Sequence, residues 1–252
     1  MLFYFYFCES FMLFILRFVF LLIFSIFFIF FGIIYCLIHP RNPSNLFKFS
    51  FIICKLNRLL GITLEVRKPI NIKYRSNVIY ISNHQNNYDL IAAAGILQDF
   101  TVTVGKRNIL LIPFFGLFYW LSGNFLIERF KCIKAYNTLL KIVSALKNKK
   151  ISVWMFPEGT RSNGRGILSF KTGAFYMAIL AKIPIVPIII SNIHNKVNLN
   201  RFNNGLVIVE MLSPIEVHDF IDMSVRELTV YCNKLIKDKF FKLNNEIYLR
   251  EN

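Results

Sequence analysis

The chain has 252 residues, a formal net charge of +16 and 55% hydrophobic residues. This length suits one well-buried domain with a membrane segment and is short for two full domains. The five cysteines form no CxxC pair, which disfavours a disulfide framework or a zinc site and predicts reduced thiols. The positive charge indicates anionic partners such as lipid headgroups, nucleic acid or phosphorylated substrates, although a composition rich in Phe, Ile, Asn and Lys supplies part of it.

The first element along the chain is an apolar run, residues 18–38, that contains no charged residue. As a helix of about 21 residues it would measure roughly 32 Å, against a hydrocarbon core of roughly 30 Å. It is longer than the core of a signal peptide, and it is apolar on every face, unlike a helix of a soluble domain. The run predicts a membrane-anchoring helix, and we place the anchoring segment at residues 1–62 and the globular domain at 63–252.

Residues 46–62 follow a Pro/Asn turn and mix apolar residues with Lys48, Lys55 and Arg58. This pattern fits an amphipathic helix at the lipid headgroups, and it fits equally a helix packed on the globular domain. The apolar run could therefore span the membrane, or it could form a shallow pair with this second segment in one leaflet.

Basic residues are distributed unevenly around the apolar run. Only Arg17, with Glu9 nearby, precedes it, whereas four basic residues lie between residues 39 and 58. Because cytoplasmic flanks carry the excess of Lys and Arg, the globular domain is predicted to face the cytoplasm.

From residue 65 onward, strand-like and helix-like segments alternate. The strand-like segments are 77–82, 101–105, 124–128, 151–156, 183–190 and 205–212. The helix-like segments are 90–97, 131–149, 172–182 and 223–244, while 108–121 could be a helix or a buried loop. Such alternation predicts an α/β fold with a mixed, largely parallel sheet flanked by helices.

Polar groups follow three of the predicted strands. Asn83 and His84 follow the first, Lys106 follows the second, and residues 157–161 follow the strand at 151–156. If these strands are parallel, the three groups emerge at the same carboxyl edge, where open α/β sheets bind ligands.

The stretch "NHQNNYD" places His84 and Asp89 five residues apart between a strand and a helix. A histidine can take a proton near neutral pH, and a neighbouring carboxylate fixes its tautomer and stabilises the imidazolium. Asp89 could instead be the N-cap of the helix that follows, and both roles can hold together.

The stretch "FPEGTRS", residues 156–162, suits an anion. Gly159 permits a close backbone approach or a positive φ, and Arg161 offers a fork for phosphate oxygens. Glu158 could bind a hydroxyl or orient Arg161. The alternative is a solvated turn with a salt bridge.

Two common catalytic signatures are absent from the sequence. It has neither GxxxxGK[ST] nor GxSxG, and no cysteine lies at residues 83–89 or 156–162. We therefore expect the nucleophile to be the substrate's own hydroxyl.

Four stretches, "NHQNNYD", "VGKRNILLIPFFGLFYWLSGNFLIER", "WMFPEGTRS" and "AKIPIVPIII", occur in this order. They resemble the four motif blocks of the glycerophospholipid acyltransferase family, including its HXXXXD pattern, and the resemblance spans roughly residues 60 to 245. Asn86 stands where many members have serine, but the histidine and the aspartate of the pattern are both present.

The resemblance implies a reaction. His84 acts as general base on the sn-2 hydroxyl of 1-acyl-sn-glycerol-3-phosphate (lysophosphatidic acid), and Asp89 orients His84. The hydroxyl attacks the thioester of acyl-CoA or acyl-carrier protein and gives phosphatidic acid. Because the thioester is already activated, no metal and no cofactor is implied. Two alternatives stay open: another lysophospholipid or glycerol phosphate as acceptor, and a non-catalytic membrane lipid-binding protein.

The resemblance also implies a substrate site and a location. The substrate-binding residues would be Lys106, Glu158, Gly159, Thr160 and Arg161. The partners would be lysophosphatidic acid, the acyl donor and membrane lipids, at a bacterial inner membrane with the active site on the cytoplasmic side. Nucleic acid is not expected, because the chain lacks a recognisable nucleic-acid-binding motif.

Overall fold

The computed structural model describes residues 2–69, 77–128, 132–149 and 151–252, with the side chains of residues 2–11 and 132 left out. The strands are β1 Thr63–Arg67, β2 Ile79–Ser82, β3 Thr101–Lys106, β4 Phe125–Ile127, β5 Ser152–Met155, β6 Ile185–Ile190 and β7 Leu206–Met211. The helices are α1 Leu2–Ile38, α2 Asn45–Leu59, α3 Tyr88–Ala93, α4 Phe115–Leu121, α5 Cys132–Lys149, α6 Gly173–Ala181, α7 Val217–Phe220 and α8 Val225–Glu251, and a 3-10 helix, η1, covers Arg107–Leu111.

The described strands form a seven-stranded sheet in the order β1-β7-β6-β2-β5-β3-β4. Neighbouring strands run parallel except β6 and β7, which are antiparallel, so the predicted mixed, largely parallel sheet is confirmed. All six predicted strands are present. The sequence analysis missed β1, whose place at the sheet edge depends on pairing with β7, about 140 residues away.

Both faces of the sheet are covered. In β2, Ile79 and Ile81 point into the core formed with α5, α6 and α8, while Tyr80 points into the core beside α3. Every residue of β2 and β6 is buried. Burial on both faces explains why these strands read as continuous apolar runs in the sequence.

The helix α1 is longer than the predicted run of residues 18–38. Its stretch Met12–Ile38 is long and apolar enough to cross a membrane, and only 11% of its most apolar part is buried. The helix is nevertheless tied to the globular domain near both ends of this stretch. Cys36 is buried beside Ser122, and Arg17 donates a hydrogen bond of 3.0 Å to the carbonyl oxygen of Leu199.

The helix α2 packs on the globular domain, which is one of the two alternatives predicted for residues 46–62. The side-chain amide of Asn57 donates to the carbonyl oxygen of Ile91 at 2.9 Å, which fixes α2 to α3. The opposite face of α2 exposes Phe51 and Ile52.

Residues 108–121 form most of η1 and all of α4 rather than a buried loop. The inner face of α4 packs on the anchor helices through Phe118, whose ring lies 5.7 Å from that of Phe28 and 5.1 Å from that of Phe49. Gly32 allows this contact, because a Cβ there would lie 2.5 Å from Phe118 Cε2. The outer face of this segment is exposed.

Candidate active site

Two buried amide side chains fix the loop that follows β2. Asn83 donates to the carbonyl oxygen of Ile190 at 2.9 Å and accepts from the N–H of the same residue at 2.9 Å. Gln85 donates to the carbonyl oxygen of Ser191 at 2.9 Å and accepts from the N–H of Ile193 at 3.0 Å. The loop is therefore anchored on the end of β6, the parallel neighbour of β2.

The same loop brings His84 and Asp89 together. Nδ1 of His84 lies 2.7 Å from Oδ2 of Asp89, which is fully buried. That oxygen also accepts the N–H groups of Gln85 and, at 2.8 Å, of Asn86. These bonds curl the loop back on itself, which closes the gap of five residues.

The N-cap of α3 is Asn87, so the alternative that Asp89 is the N-cap is wrong. Asp89 lies within the first turn, and its carboxylate faces back to the loop. Because a carboxylate only accepts hydrogen bonds, Nδ1 of His84 donates to it and Nε2 carries the lone pair. The arrangement makes Nε2 a base.

One face of the imidazole is covered by Phe156, the residue that follows β5. The two ring centroids lie 4.2 Å apart, with 20° between the ring planes. The His84 side chain is 15% exposed, so the ring is held in place yet can still be reached from outside.

Glu158 connects its own loop to the loop that carries His84. It is buried, its Oε1 accepts the backbone N–H of His84 at 2.7 Å, and its Oε2 accepts that of Leu168 at 2.9 Å. Burial raises the pKa of the Glu158 carboxyl, and the two N–H groups oppose that rise. These contacts do not fit the alternative of a solvated turn. They make Glu158 a brace of the loop that carries the base.

The loop after β5 lies against the histidine loop. The N–H of Ser162 donates to the carbonyl oxygen of His84 at 2.8 Å. Arg161 and Thr160 immediately precede Ser162, and both are exposed. Arg161 is therefore an exposed residue next to the backbone hydrogen bond that joins this loop to the histidine loop.

Gly159 has a φ of +71°, which favours glycine, and the Lys171 side chain fills the space beside it. A Cβ at Gly159 would lie 3.3 Å from the Lys171 ammonium nitrogen. The backbone N–H of Lys171 donates to the carbonyl oxygen of Pro157 at 2.8 Å. Lys171 thus adds a third positive charge to this loop, which also carries Arg161 and Arg165.

Lys106 is the last residue of β3, which pairs in parallel with β5. Extending that register places Lys106 level with Pro157, and it is partly exposed. The three predicted polar groups therefore emerge at the same carboxyl edge, as the sequence indicated.

Sequence reasoning gave no role to four residues that shape this site: Asn83, Gln85, Phe156 and Lys171. Asn83, Gln85 and Phe156 lie within the stretches that were singled out, and Lys171 lies farther along the loop after β5, but the partners of these residues cannot be read from sequence spacing. Among the residues that the structure describes, no group of three His, Cys, Asp or Glu side chains could hold a metal ion.

The chain is similar to proteins of known name. The Acyltransferase family model matches residues 63–191. The 1-acyl-sn-glycerol-3-phosphate acyltransferases of Salmonella typhimurium and Escherichia coli K12 are 52% and 50% identical over 240 residues, which is 95% of this chain and 98% of each relative. A solved structure, the 1-acyl-sn-glycerophosphate acyltransferase of Thermotoga maritima, has a TM-score of 0.73 at 22% identity, and the match covers 94% of this chain and 97% of that one. The solved structure shows that the fold is shared.

Proposed function

We propose, from the premise that this chain belongs to the acyltransferase family, that the enzyme acylates the sn-2 hydroxyl of 1-acyl-sn-glycerol-3-phosphate and gives phosphatidic acid. The donor would be a thioester, acyl-CoA or acyl-carrier protein. One observation carries the proposal: a buried carboxylate holds Nδ1 of His84, so that Nε2 is a base at a sheet edge flanked by Arg161 and Lys106. The names of the relatives support this acceptor.

In the reaction, the acceptor hydroxyl donates a hydrogen bond to Nε2 of His84. As its oxygen attacks the thioester carbonyl carbon, the proton moves to Nε2, and Asp89 stabilises the imidazolium. The tetrahedral intermediate then collapses, the C–S bond breaks, and the thiolate leaves with the proton from His84. The products are the new ester and a free thiol, and His84 is a neutral base again.

The acceptor carries a phosphate, and the edge offers positive charge to hold it. Arg161 and Lys106 lie on either side of β5 at its carboxyl end, and their side chains reach solvent. Arginine binds phosphate oxygens in pairs, while lysine supplies a point charge. We assign the phosphate to these two residues, with Gly159 and Thr160 in the same loop and Glu158 as its brace.

A comparison of three acceptors tests the proposed acylation of lysophosphatidate. Purified enzyme in lipid vesicles is given lysophosphatidate, a neutral lysophospholipid or glycerol phosphate, each with acyl-CoA and with acyl-carrier protein. We expect lysophosphatidate to be acylated much faster than the other acceptors. Equal rates for a neutral lysophospholipid would contradict the assigned acceptor.

Alanine at Arg161 or at Lys106 is expected to raise KM for lysophosphatidate about ten-fold or more, because a hydrogen bond to a charged group is worth roughly 1.5–3 kcal/mol. The KM for the thioester should change little. The control is Lys147→Ala near the end of α5, at the opposite edge of the sheet, where no effect is expected. A rise confined to the KM of the thioester would assign both residues to the donor.

Transfer is expected to be direct, without an acyl-enzyme. The two serines next to the catalytic stretches, Ser82 and Ser162, are fully or almost fully buried. Enzyme incubated with a radiolabelled acyl donor alone should therefore carry no label after denaturation. A stoichiometric covalent adduct would instead establish a two-step transfer.

The anchor helix is proposed to lie in one leaflet rather than to span the bilayer. Between Arg17 and Cys36, both tied to the globular domain, α1 extends about 28 Å along that domain. Crossing by the apolar stretch Met12–Ile38 would require the contact between Arg17 and the carbonyl oxygen of Leu199 to break, because that contact holds one end of the stretch on the globular domain. The Lys/Arg bias supports a cytoplasmic active site.

Labelling of a cysteine at residue 3, in a chain whose native cysteines are alanine, tests this topology. An impermeant thiol reagent on intact spheroplasts should leave it unlabelled until lysis. Labelling from outside would establish a spanning helix. A cysteine at exposed position 147 serves as the control for the globular domain, and labelling it from outside would refute a cytoplasmic active site.

A further inference from the structure

An exposed apolar surface lies beside the active site, on η1, the turn after it and α4. We call it the apolar lip, and its residues are Leu110, Leu111, Ile112, Phe114, Leu117 and Trp120. Leu111 is 80% exposed and Phe114 74% exposed, more than any apolar side chain between Met12 and Ile38 of α1. An exposed apolar cluster of this kind on a globular domain marks a contact with another protein or with a membrane.

The apolar lip lies in a stretch of sequence without charged residues. Residues 108–127 contain no Asp, Glu, Lys or Arg, in a chain that is 17% charged. Phe114 also has a φ of +59°, which is unusual for a bulky residue, and this backbone turns its ring away from the protein. The Phe114 side chain therefore makes few contacts within the protein that could offset the strain of this backbone conformation.

The lip is continuous with the anchor. α4 packs on α1 and α2 through Phe118, and its opposite side carries Leu117 and Trp120. The Arg41 guanidinium lies 4.9 Å from the centroid of the Trp120 ring and donates to the Trp120 carbonyl oxygen at 3.1 Å. Tryptophan and a basic side chain in contact are typical of the headgroup level of a membrane.

The lip also adjoins the catalytic edge. The helix η1 begins directly after Lys106, which ends β3 at that edge. A lipid surface that covers the lip would therefore lie next to the edge of the sheet that carries Lys106 and His84.

We propose that the apolar lip inserts among the acyl chains of the leaflet that holds α1, as a second membrane contact independent of the anchor. It holds the catalytic edge against the lipid surface, so that an acceptor with a long acyl chain reaches His84 without leaving the leaflet. This last consequence rests on the proposed function.

The first test uses the two tryptophans. Trp120 is in the lip, and Trp154 is buried in the sheet core. The full chain is reconstituted in vesicles whose phospholipids carry bromine at a shallow acyl position, and tryptophan emission is recorded. We expect strong quenching in the wild type and much weaker quenching in Trp120→Phe, where Trp154 alone emits. Equal fractional quenching of the two proteins would overturn the proposal.

The second test separates the lip from α1 and from the catalytic groups. The double variant Leu111→Glu/Leu117→Glu is expected to stay with the vesicles through α1. Its acylation of long-chain lysophosphatidate in vesicles should fall about ten-fold or more, because charged side chains are costly among acyl chains. Acylation of a short-chain lysophosphatidate dissolved as monomers should stay within about two-fold of the wild type. The matched control is Ile133→Glu on α5, which is 78% exposed and should affect neither.

Three results would contradict the lip proposal. If the double variant lost acylation activity equally on both acceptors, the lip would be part of the substrate site or necessary for the fold. If it lost activity on neither acceptor, the lip would not be a membrane contact. A cross-linked dimer that the double variant abolishes would assign the lip to a second copy of the chain. If the wild type acylates neither acceptor, the proposed function fails, and the quenching experiment alone decides the lip.

Discussion

Alanine at His84 is expected to lower the rate of acyl transfer by about 10² to 10⁴-fold, the usual contribution of a general base. The chain should stay folded, because the loop is held by its backbone and by the amides of Asn83 and Gln85 rather than by the imidazole. Thiol release from acyl-CoA, measured with lysophosphatidate present, reports the rate. The control is His218→Ala, whose side chain is 81% exposed on α7 and which should keep full activity.

Activity of His84→Ala close to that of the wild type would remove this residue from the chemistry. The mechanism would then need another base at the same edge.

Asparagine at Asp89 is expected to leave the fold intact and to reduce turnover strongly. The amide oxygen can still accept the N–H groups of Gln85 and Asn86, but it carries no charge to stabilise the imidazolium at 2.7 Å. Since a hydrogen bond to a charged group is worth more than a neutral one, we also expect a stability loss of about 1–2 kcal/mol. The matched control is Asp99→Asn, an exposed loop aspartate whose carboxylate also accepts a backbone N–H, which should leave turnover unchanged.

A double-mutant cycle distinguishes a positioning role from a structural one. If Asp89 acts through His84, adding Asp89→Asn to His84→Ala should cause little further loss of turnover. If turnover in the double variant fell by the product of the two single-variant losses, the carboxylate would contribute independently of the imidazole. Denaturant unfolding of the same four proteins separates these losses from changes in stability.

The local parts of this site could be predicted from the sequence. His84, Lys106 and the loop carrying Arg161 follow strand-like runs, and the carboxyl ends of parallel strands share an edge. The sheet class followed from strands alternating with helices. These inferences needed only spacing and residue type over short stretches.

The contacts that complete the site connect distant parts of the chain. Asn83 binds the backbone of Ile190, 107 residues away, and the Phe156 ring reaches His84 only because β5 pairs with β2. Arg17 is the clearest example, because the sequence places it at the flank of an apolar run, whereas the fold buries it against the carbonyl of Leu199. No local pattern specifies such a contact.

The apolar segment 108–121 illustrates a different limit. Its composition was compatible with a buried loop, because hydrophobic residues usually lie inside a protein. Phe118 and Leu121 on the inner face of α4 are buried, whereas the residues of the apolar lip are exposed. A sequence alone does not say whether an apolar face meets protein or lipid.

We infer that His84 activates the acceptor's own hydroxyl for direct attack on the thioester. The most direct measurement quantifies phosphatidic acid, free thiol and free fatty acid together, for the wild type and for His84→Ala, with and without lysophosphatidate. We expect equal amounts of phosphatidic acid and thiol from the wild type, neither product when the acceptor is absent, and neither product above background from the variant. Thiol and fatty acid released by the wild type without phosphatidic acid, or phosphatidic acid formed equally well by His84→Ala, would contradict this inference.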